Sequence, residues 1–143
     1  MIVKTLKKDN IDEILSLYAL DFADGWNKNM LESAFDGGRF LCLGAYENDI
    51  LVGVITLSIS IDDADIEGIV TKKEFRNKGV ASLLFDSAKD ILKNKGIQKI
   101  LLEVRETNAI AISFYKSKGF NQIAVRRRYY PDGENALIFI KEN

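Results

Sequence analysis

Polar and apolar positions alternate through most of this chain in short runs, and two periods stand out. In "LVGVITLSISI" Ile55, Leu57, Ile59 and Ile61 alternate with Thr56, Ser58 and Ser60, the pattern of a strand with one buried face in an antiparallel sheet. In the stretch after Gly79, Val80, Leu83, Leu84, Ala88, Ile91 and Leu92 recur at helical spacing, predicting a helix that ends near Gly96. Around these, "IVKTL" reads as a first strand. Asp9 or Asn10 can cap a helix running from Ile11 toward Asp24, and a second helix follows Trp26 with Asn27 or Asn29 as its cap. "GRFLCLGAY" is a strand, "ENDI" a turn, and "DIEGIVT" a strand ahead of the long helix. "QKILLEV" is apolar on both faces and therefore central. Asn108 caps a helix through Lys118 that Gly119 stops, and "FNQIAVRRRYY" and "NALIFIK" are two last strands joined by "PDGE".

Strands that are mostly antiparallel early and helix-linked later predict an α+β or mixed α/β fold. At 143 residues a single domain, 1–143, is expected. A chain of that length buries roughly two thirds of its unfolded surface. The net charge of −1 argues against bulk nucleic-acid binding. "MIVKTLKKDN" has no apolar signal-like core, and no apolar run approaches the ~20 residues of a membrane span, so no membrane partner is expected. One cysteine, Cys42, permits no internal disulfide; a reducing cytoplasm is the expected compartment, with Cys42 as a small buried hydrophobe. The chain has no histidine, which removes Ser-His-Asp and Cys-His catalysis and the commonest zinc ligand. Asp63, Asp65, Glu67, Gly68 and Glu74 match most of an EF-hand spacing, but a strand precedes them where a helix is required. A polar turn between strands is expected there, and no metal site. Arg126, Arg127 and Arg128 read as a solvated face at a strand end.

The same tetrapeptide pattern occurs twice with opposite meaning. "KNKG" at 93–96 follows a helix, where lysine suits the negative end of the macrodipole and glycine ends the turn. "RNKG" at 76–79 precedes a helix, where cations are unfavourable by a few tenths of a kcal/mol each. An anion between those cations and the free N–H groups of Val80, Ala81 and Ser82 would reverse the sign. Gly79 allows a positive φ and close approach of a ligand. A plain glycine turn is the alternative. The loop is neither a Walker A sequence nor a dinucleotide fingerprint.

"RNKGVA" resembles the Arg/Gln-x-x-Gly-x-Gly/Ala motif of the GNAT acetyltransferases. "LLEVRETNAIAISFYKSKGF" is similar to that family's later strand and helix, and "RRRYYPDGENALIF" to its C-terminal hairpin. Within the family the resemblance is to bacterial ribosomal-protein-alanine N-acetyltransferases. Asn135-Ala136 stands here where those carry Asp-Ala, and Lys73 stands where a proline is usual. The resemblance implies a GNAT fold, a mostly antiparallel twisted sheet of about seven strands flanked by about four helices, and acetyl-coenzyme A as the cofactor with coenzyme A as product.

It further implies that Arg76, Asn77, Lys78, Gly79, Val80, Ala81 and Ser82 hold the pyrophosphate. The backbone of Ile69, Val70 and Thr71 would line the pantetheine and thioester, with Asn108 as a further contact. Glu103 is implied as general base, with Glu67 as its rival; its bland alternative is a strand-end carboxylate in water or paired with Arg105. Tyr115 is implied as general acid, the alternative being a core aromatic beside Phe114. An α-amine titrates near ~8 and a phenol near ~10, so modest help suffices for the first and the second can serve a thiolate. Tyr129 and Tyr130, at a strand end, would close over an entering peptide, with Trp26 walling the slot and Glu134 attracting a basic residue of the peptide. The implied activity is acetyl transfer to a protein N-terminal α-amine. A GNAT enzyme for a small amine or a lysine, and a non-enzymatic acetyl-coenzyme A sensor, are the competing classes. A monomer or homodimer is expected.

Overall fold

The computed structural model describes residues 1–20 and 26–143. Local signals place most elements where the sequence puts them. β1 (Ile2–Thr5), β2 (Phe40–Glu47), β3 (Ile50–Ile59) and β4 (Asp63–Thr71) form an antiparallel meander. Asn48 and Asp49, both with positive φ, make the turn from β2 to β3. β5 (Lys99–Arg105) then lies parallel to β4, and β7 (Ala136–Glu142) and β6 (Asn121–Arg126) complete the order β1-β2-β3-β4-β5-β7-β6. Among the described residues four α-helices flank the sheet: α1 (Ile11–Ala19), α2 (Lys28–Asp36), α3 (Val80–Asn94) and α4 (Ala109–Ser117). This is the mixed, mostly antiparallel architecture expected from the pattern. No helix among the described residues is long and apolar enough to cross a membrane.

The caps explain two of the helix starts. Asn27 Oδ1 accepts from the Met30 N–H at 2.8 Å, and Asn108 Oδ1 from the Ala111 N–H at 3.2 Å. At α1 the expected cap is absent. Asn10 instead accepts from the Lys7 N–H at 2.9 Å and donates to Glu13, because a short 3₁₀ turn over Lys8–Asn10 precedes the helix. α1 ends at Ala19; the part of the expected helix that runs to Asp24 falls on 21–24, outside the described residues.

The two faces of the sheet carry separate cores. On one, α3 sets Val80, Leu84, Phe85, Ala88 and Leu92 against the strands, with Phe114, Tyr115 and Phe120 alongside. On the other, α1 and α2 bring Ile14, Leu17, Tyr18 and Leu31 against Cys42, Val54 and Val70. This corrects the one-face reading of β3: helices cover both sides, and Thr56 on its polar row is fully buried. Ile61, counted with the buried row, lies past the strand end and is 83% exposed. The Asp63-to-Glu74 stretch is mostly β4 rather than a polar turn.

Two features of the sheet create room for a site. β3 and β4 pair as Thr56↔Gly68 and then Leu57↔Ile66, which leaves Glu67 as the extra residue of a bulge. The parallel pairing of β4 with β5 runs from Asp63↔Lys99 to Ile66↔Leu102 and stops there. Past that point the strands separate. On the far side Phe139 of β7, with no exposed surface, holds β5 through its pairing with Leu102. Truncation of a fully buried aromatic of this kind costs ~3–5 kcal/mol. Phe139→Ala is therefore expected to lower unfolding free energy by that amount in a urea titration.

Candidate active site

The loop after β4 makes the turn that its charges called for. A 3₁₀ turn over Lys73–Phe75 leads into Arg76, and Asn77 and Gly79 follow with φ of 61° and 80°. The first helical hydrogen bond of α3 joins Leu83 N–H to Gly79 C=O at 3.0 Å. The N–H groups of Val80, Ala81 and Ser82 therefore face out of the helix start. A Cβ added at Gly79 would meet no atom within 4 Å, so the glycine faces open space as well as a left-handed φ. The Arg76 guanidinium Nε donates to the Thr71 C=O at 3.3 Å, which ties it to the end of β4. These are the parts of an anion cradle.

The cradle forms one wall of a cleft of about 700 Å³ that runs between the separated ends of β4 and α4. Ile69 and Thr71 line it from β4; Asn108 and Tyr115 line it from the other side. Of the eleven residues expected against a coenzyme, Val70 and Lys78 do not line the cleft. The Val70 side chain is 3% exposed and points into the core, because alternate strand residues face opposite ways; the expectation at Val70 concerns its backbone. Lys78 stands outside the cleft with its Nζ 5.5 Å from the centre of the Phe75 ring. The remaining nine, Arg76, Asn77 and Gly79 to Ser82 among them, line the cleft. Phe75, Ile110, Ala111 and Phe114 also line it, though nothing marked them in the sequence. Ile110, in the first turn of α4, is 87% exposed.

Tyr115 is 8% exposed in the cleft wall. Burial, with a smaller contribution from Tyr18, raises its phenol well above the usual range, so it keeps its proton at any working pH. It is both a core aromatic beside Phe114, with ring centres 5.3 Å apart, and a cleft residue.

Carboxylates gather around the end of β5. Glu103 is exposed on β5 and pairs with Arg126 at 3.2 Å, not with Arg105. The Arg126 guanidinium also stands 5.7 Å from the centre of the Tyr129 ring, which sets Tyr129 beside Glu103, and the Glu103 carboxylate is the largest cause of the raised Tyr129 pKa. Glu67 contributes to the same rise and accepts from the Ser58 hydroxyl at 2.9 Å. Tyr129 and Tyr130 stand edge to face with ring centres 5.1 Å apart. They lie in the connection between β6 and β7 rather than in a strand, since β6 ends at Arg126 and Arg128 turns with a φ of 52°. Trp26 packs edge to face on Phe40 at 5.3 Å, and Phe40 is the register partner of Ser58. Glu67, Glu103 and Tyr129 thus lie near one another, while Trp26 stands on Phe40, whose partner Ser58 bonds Glu67. Glu134 faces inward: Arg105 Nη1 donates to it at 2.8 Å, and Thr107 donates through its hydroxyl and its N–H. Those bonds, Thr107's first, lower its carboxyl to about 2. Its charge is met by this chain's own Arg105, so it is not a lone attractor for a basic peptide.

A family model described as Acetyltransferase (GNAT) family matches residues 11–120. The ribosomal protein bS18-alanine N-acetyltransferase of Haemophilus ducreyi is 30% identical over 140 residues, covering 95% of this chain and 96% of that protein. The Escherichia coli K12 protein of the same description is 32% identical over 116 residues, covering 79% of this chain and 78% of its own. A crystal structure of the ribosomal-protein-alanine N-acetyltransferase from Escherichia coli matches with a TM-score of 0.92 at 27% identity, over 99% of this chain and 92% of that one.

A valine at position 79 would hold a β-branched side chain in the left-handed region, which costs roughly 1–2 kcal/mol, and would project it into the cradle. Gly79→Val is expected to stay folded by circular dichroism. In calorimetry it is expected to lose at least about tenfold in coenzyme A affinity, a change of ~1.4 kcal/mol.

Proposed function

This chain belongs to the GNAT acetyltransferase family, whose members use acetyl-coenzyme A, and on that premise we propose that it acetylates the α-amine of a protein N-terminus, with a ribosomal protein as the acceptor. The observation that carries the proposal is that Arg126 pairs with Glu103 at 3.2 Å and stands 5.7 Å from the centre of the Tyr129 ring, which sets Tyr129, with Tyr130 against it, beside the Glu103 carboxylate. That arrangement suits a base for a peptide amine. The carboxylate must meet the ammonium, and rigid phenols beside it can close over the peptide and hydrogen-bond its backbone. The named relatives act on the alanine of ribosomal protein bS18, which supports the same class of acceptor.

In this reading the chain works as one catalytic unit over 1–143, in a reducing cytoplasm where the buried Cys42 stays a thiol. When bound, acetyl-coenzyme A supplies the thioester. Arg76 and the Val80, Ala81 and Ser82 N–H groups hold the pyrophosphate, and the Ile69 to Thr71 backbone, freed from pairing with β5, lines the arm. Asn108 borders the same cleft. Glu103 takes the proton of the acceptor ammonium, directly or through a water. An α-amine titrates near ~8, so little driving force is required. Tyr115 would donate a hydrogen bond to the departing sulfur, sharing its proton in the transition state. The proton taken up by Glu103 would return through solvent to the thiolate, which would leave as the thiol.

Glu103→Gln is expected to lower kcat by ~10²–10⁴, with acetyl-coenzyme A affinity unchanged and partial rescue as pH rises and the amine deprotonates unaided. Tyr115→Phe is expected to slow thiol release within the same range. A crippled Glu67→Gln beside a near-normal Glu103→Gln would move the base to β4. For the acceptor, two peptides of one sequence decide: one with a free N-terminus, one blocked there and carrying an internal lysine. Modification of the free N-terminus in preference to the lysine is expected; the reverse preference would place the enzyme in the lysine or small-amine class.

A further inference from the structure

The segment that carries Tyr129 and Tyr130 has little to hold it in place by packing. β6, which leads into it, is exposed at all six residues, and residues 127–129 and 131–133 are exposed as well. A turn without a core keeps a fixed shape only through polar bonds. Those bonds converge on one short stretch, Arg105 to Thr107, at the end of β5. Arg105 Nη1 donates to Asp132 Oδ2 and to Glu134 Oε2, each at 2.8 Å. Its guanidinium carbon stands 4.1 Å from the centre of the Tyr130 ring. The Thr107 N–H donates to Glu134 Oε1 at 3.0 Å. Glu106 joins through two bonds: its carboxylate accepts from Asn135 Nδ2 at 2.9 Å, and its N–H donates to the Asn135 C=O at 3.1 Å. Inside the turn, the Tyr130 N–H donates to the Glu134 C=O at 3.1 Å, and the Gly133 N–H to the Tyr130 C=O at 2.8 Å.

We propose that Arg105 is a positioning residue for the acceptor: by clasping Asp132 and Glu134 and stacking on Tyr130, it fixes the two tyrosines beside Glu103. This rests on the peptide-acetyltransferase function proposed above. The guanidinium suits the task because its fork meets two carboxylates while its flat face lies on an aromatic ring; lysine offers a point charge and neither geometry. Arg105 does not line the cofactor cleft, and it touches Tyr130 and the turn directly. The next residues link the clasp to that cleft. The Asn108 N–H donates to the Arg105 C=O at 3.0 Å, and Asn108 lines the cleft while capping α4. One rigid stretch thereby serves the cofactor with its last residue and the acceptor with its first. The clasp is charged across the neutral range. Glu134 has a lowered carboxyl, so its contribution is complete above the usual carboxylate range and fades only as pH falls toward about 2.

The test compares Arg105→Met and Arg105→Lys with the wild type. Kinetics use a free-N-terminus peptide and a small primary amine as separate acceptors, with acetyl-coenzyme A affinity measured by calorimetry and amide exchange at Tyr130 and Gly133 by NMR. For Arg105→Met we expect kcat/KM for the acceptor to fall about tenfold or more, acetyl-coenzyme A affinity to stay within about twofold, and both amides to exchange faster while β5 and β7 amides keep their protection. Arg105→Lys is expected to recover only part of the loss. Wild-type kcat/KM and wild-type protection in Arg105→Met would overturn the assignment. So would a loss of acetyl-coenzyme A affinity equal to the loss on the acceptor. If the wild type uses the amine and not the peptide, the peptide function fails by itself. The clasp is then decided by the amine kinetics and the two amides.

Discussion

Everything at the candidate site depends on β4 ceasing to pair with β5 after Ile66. A backbone that loses a ladder inside a sheet leaves N–H and C=O groups that must find other partners. The bulge at Glu67 prepares the separation. It adds a residue on β4, increases the local twist and changes which side chains face which layer. A ligand arm that offers amides of its own can satisfy those groups as an added strand would. The cleft between the separated ends is thus a gap in the sheet that the fold holds open from both sides.

What holds it open is packing. Phe85 contacts Phe114 and Phe120 edge to face, at 6.5 and 5.6 Å between ring centres, which locks α3 to α4 under the cleft. Gly53 of β3 lets α3 come close: a Cβ there would stand 2.6 Å from Val80 Cγ1. The helix start that presents the N–H groups is therefore set by a glycine on a strand as much as by Gly79. Cradle and sheet are one rigid body, and a tight contact in the core fixes the geometry of a surface loop.

The acceptor side is built differently. Its tyrosines lie in an exposed connection, and their placement rests on Arg105, Asp132 and Glu134 rather than on buried area. Half-exposed ion pairs are individually weak, and salt screens them. A network around a planar guanidinium with several partners is more selective in geometry than any single pair. The cleft wall is held by packing and the tyrosine turn by polar bonds.

Much of this was legible along the chain. Helical and strand periods, the Asn27 and Asn108 caps and the Gly79 start are local signals, and a local signal is fixed by neighbours within a few residues. The cations before α3 also spoke in sequence, because a macrodipole acts within one turn. Strand separation, the burial of Thr56 under α1 and the company of Glu103 were not legible. Arg105 is two residues from Glu103 and was its obvious partner. It pairs instead with Asp132 and Glu134, and Glu103 takes Arg126. Those choices follow from the antiparallel register of β5 with β7 and of β7 with β6, which sets Arg105 and Arg126 each opposite Ala136. Register between distant strands is decided by the whole sheet and its two cores. By itself the sequence determined which elements form and where a cradle-shaped loop precedes a helix; the tertiary structure alone decided which charges meet, because partners in a sheet are chosen across it and not along the chain.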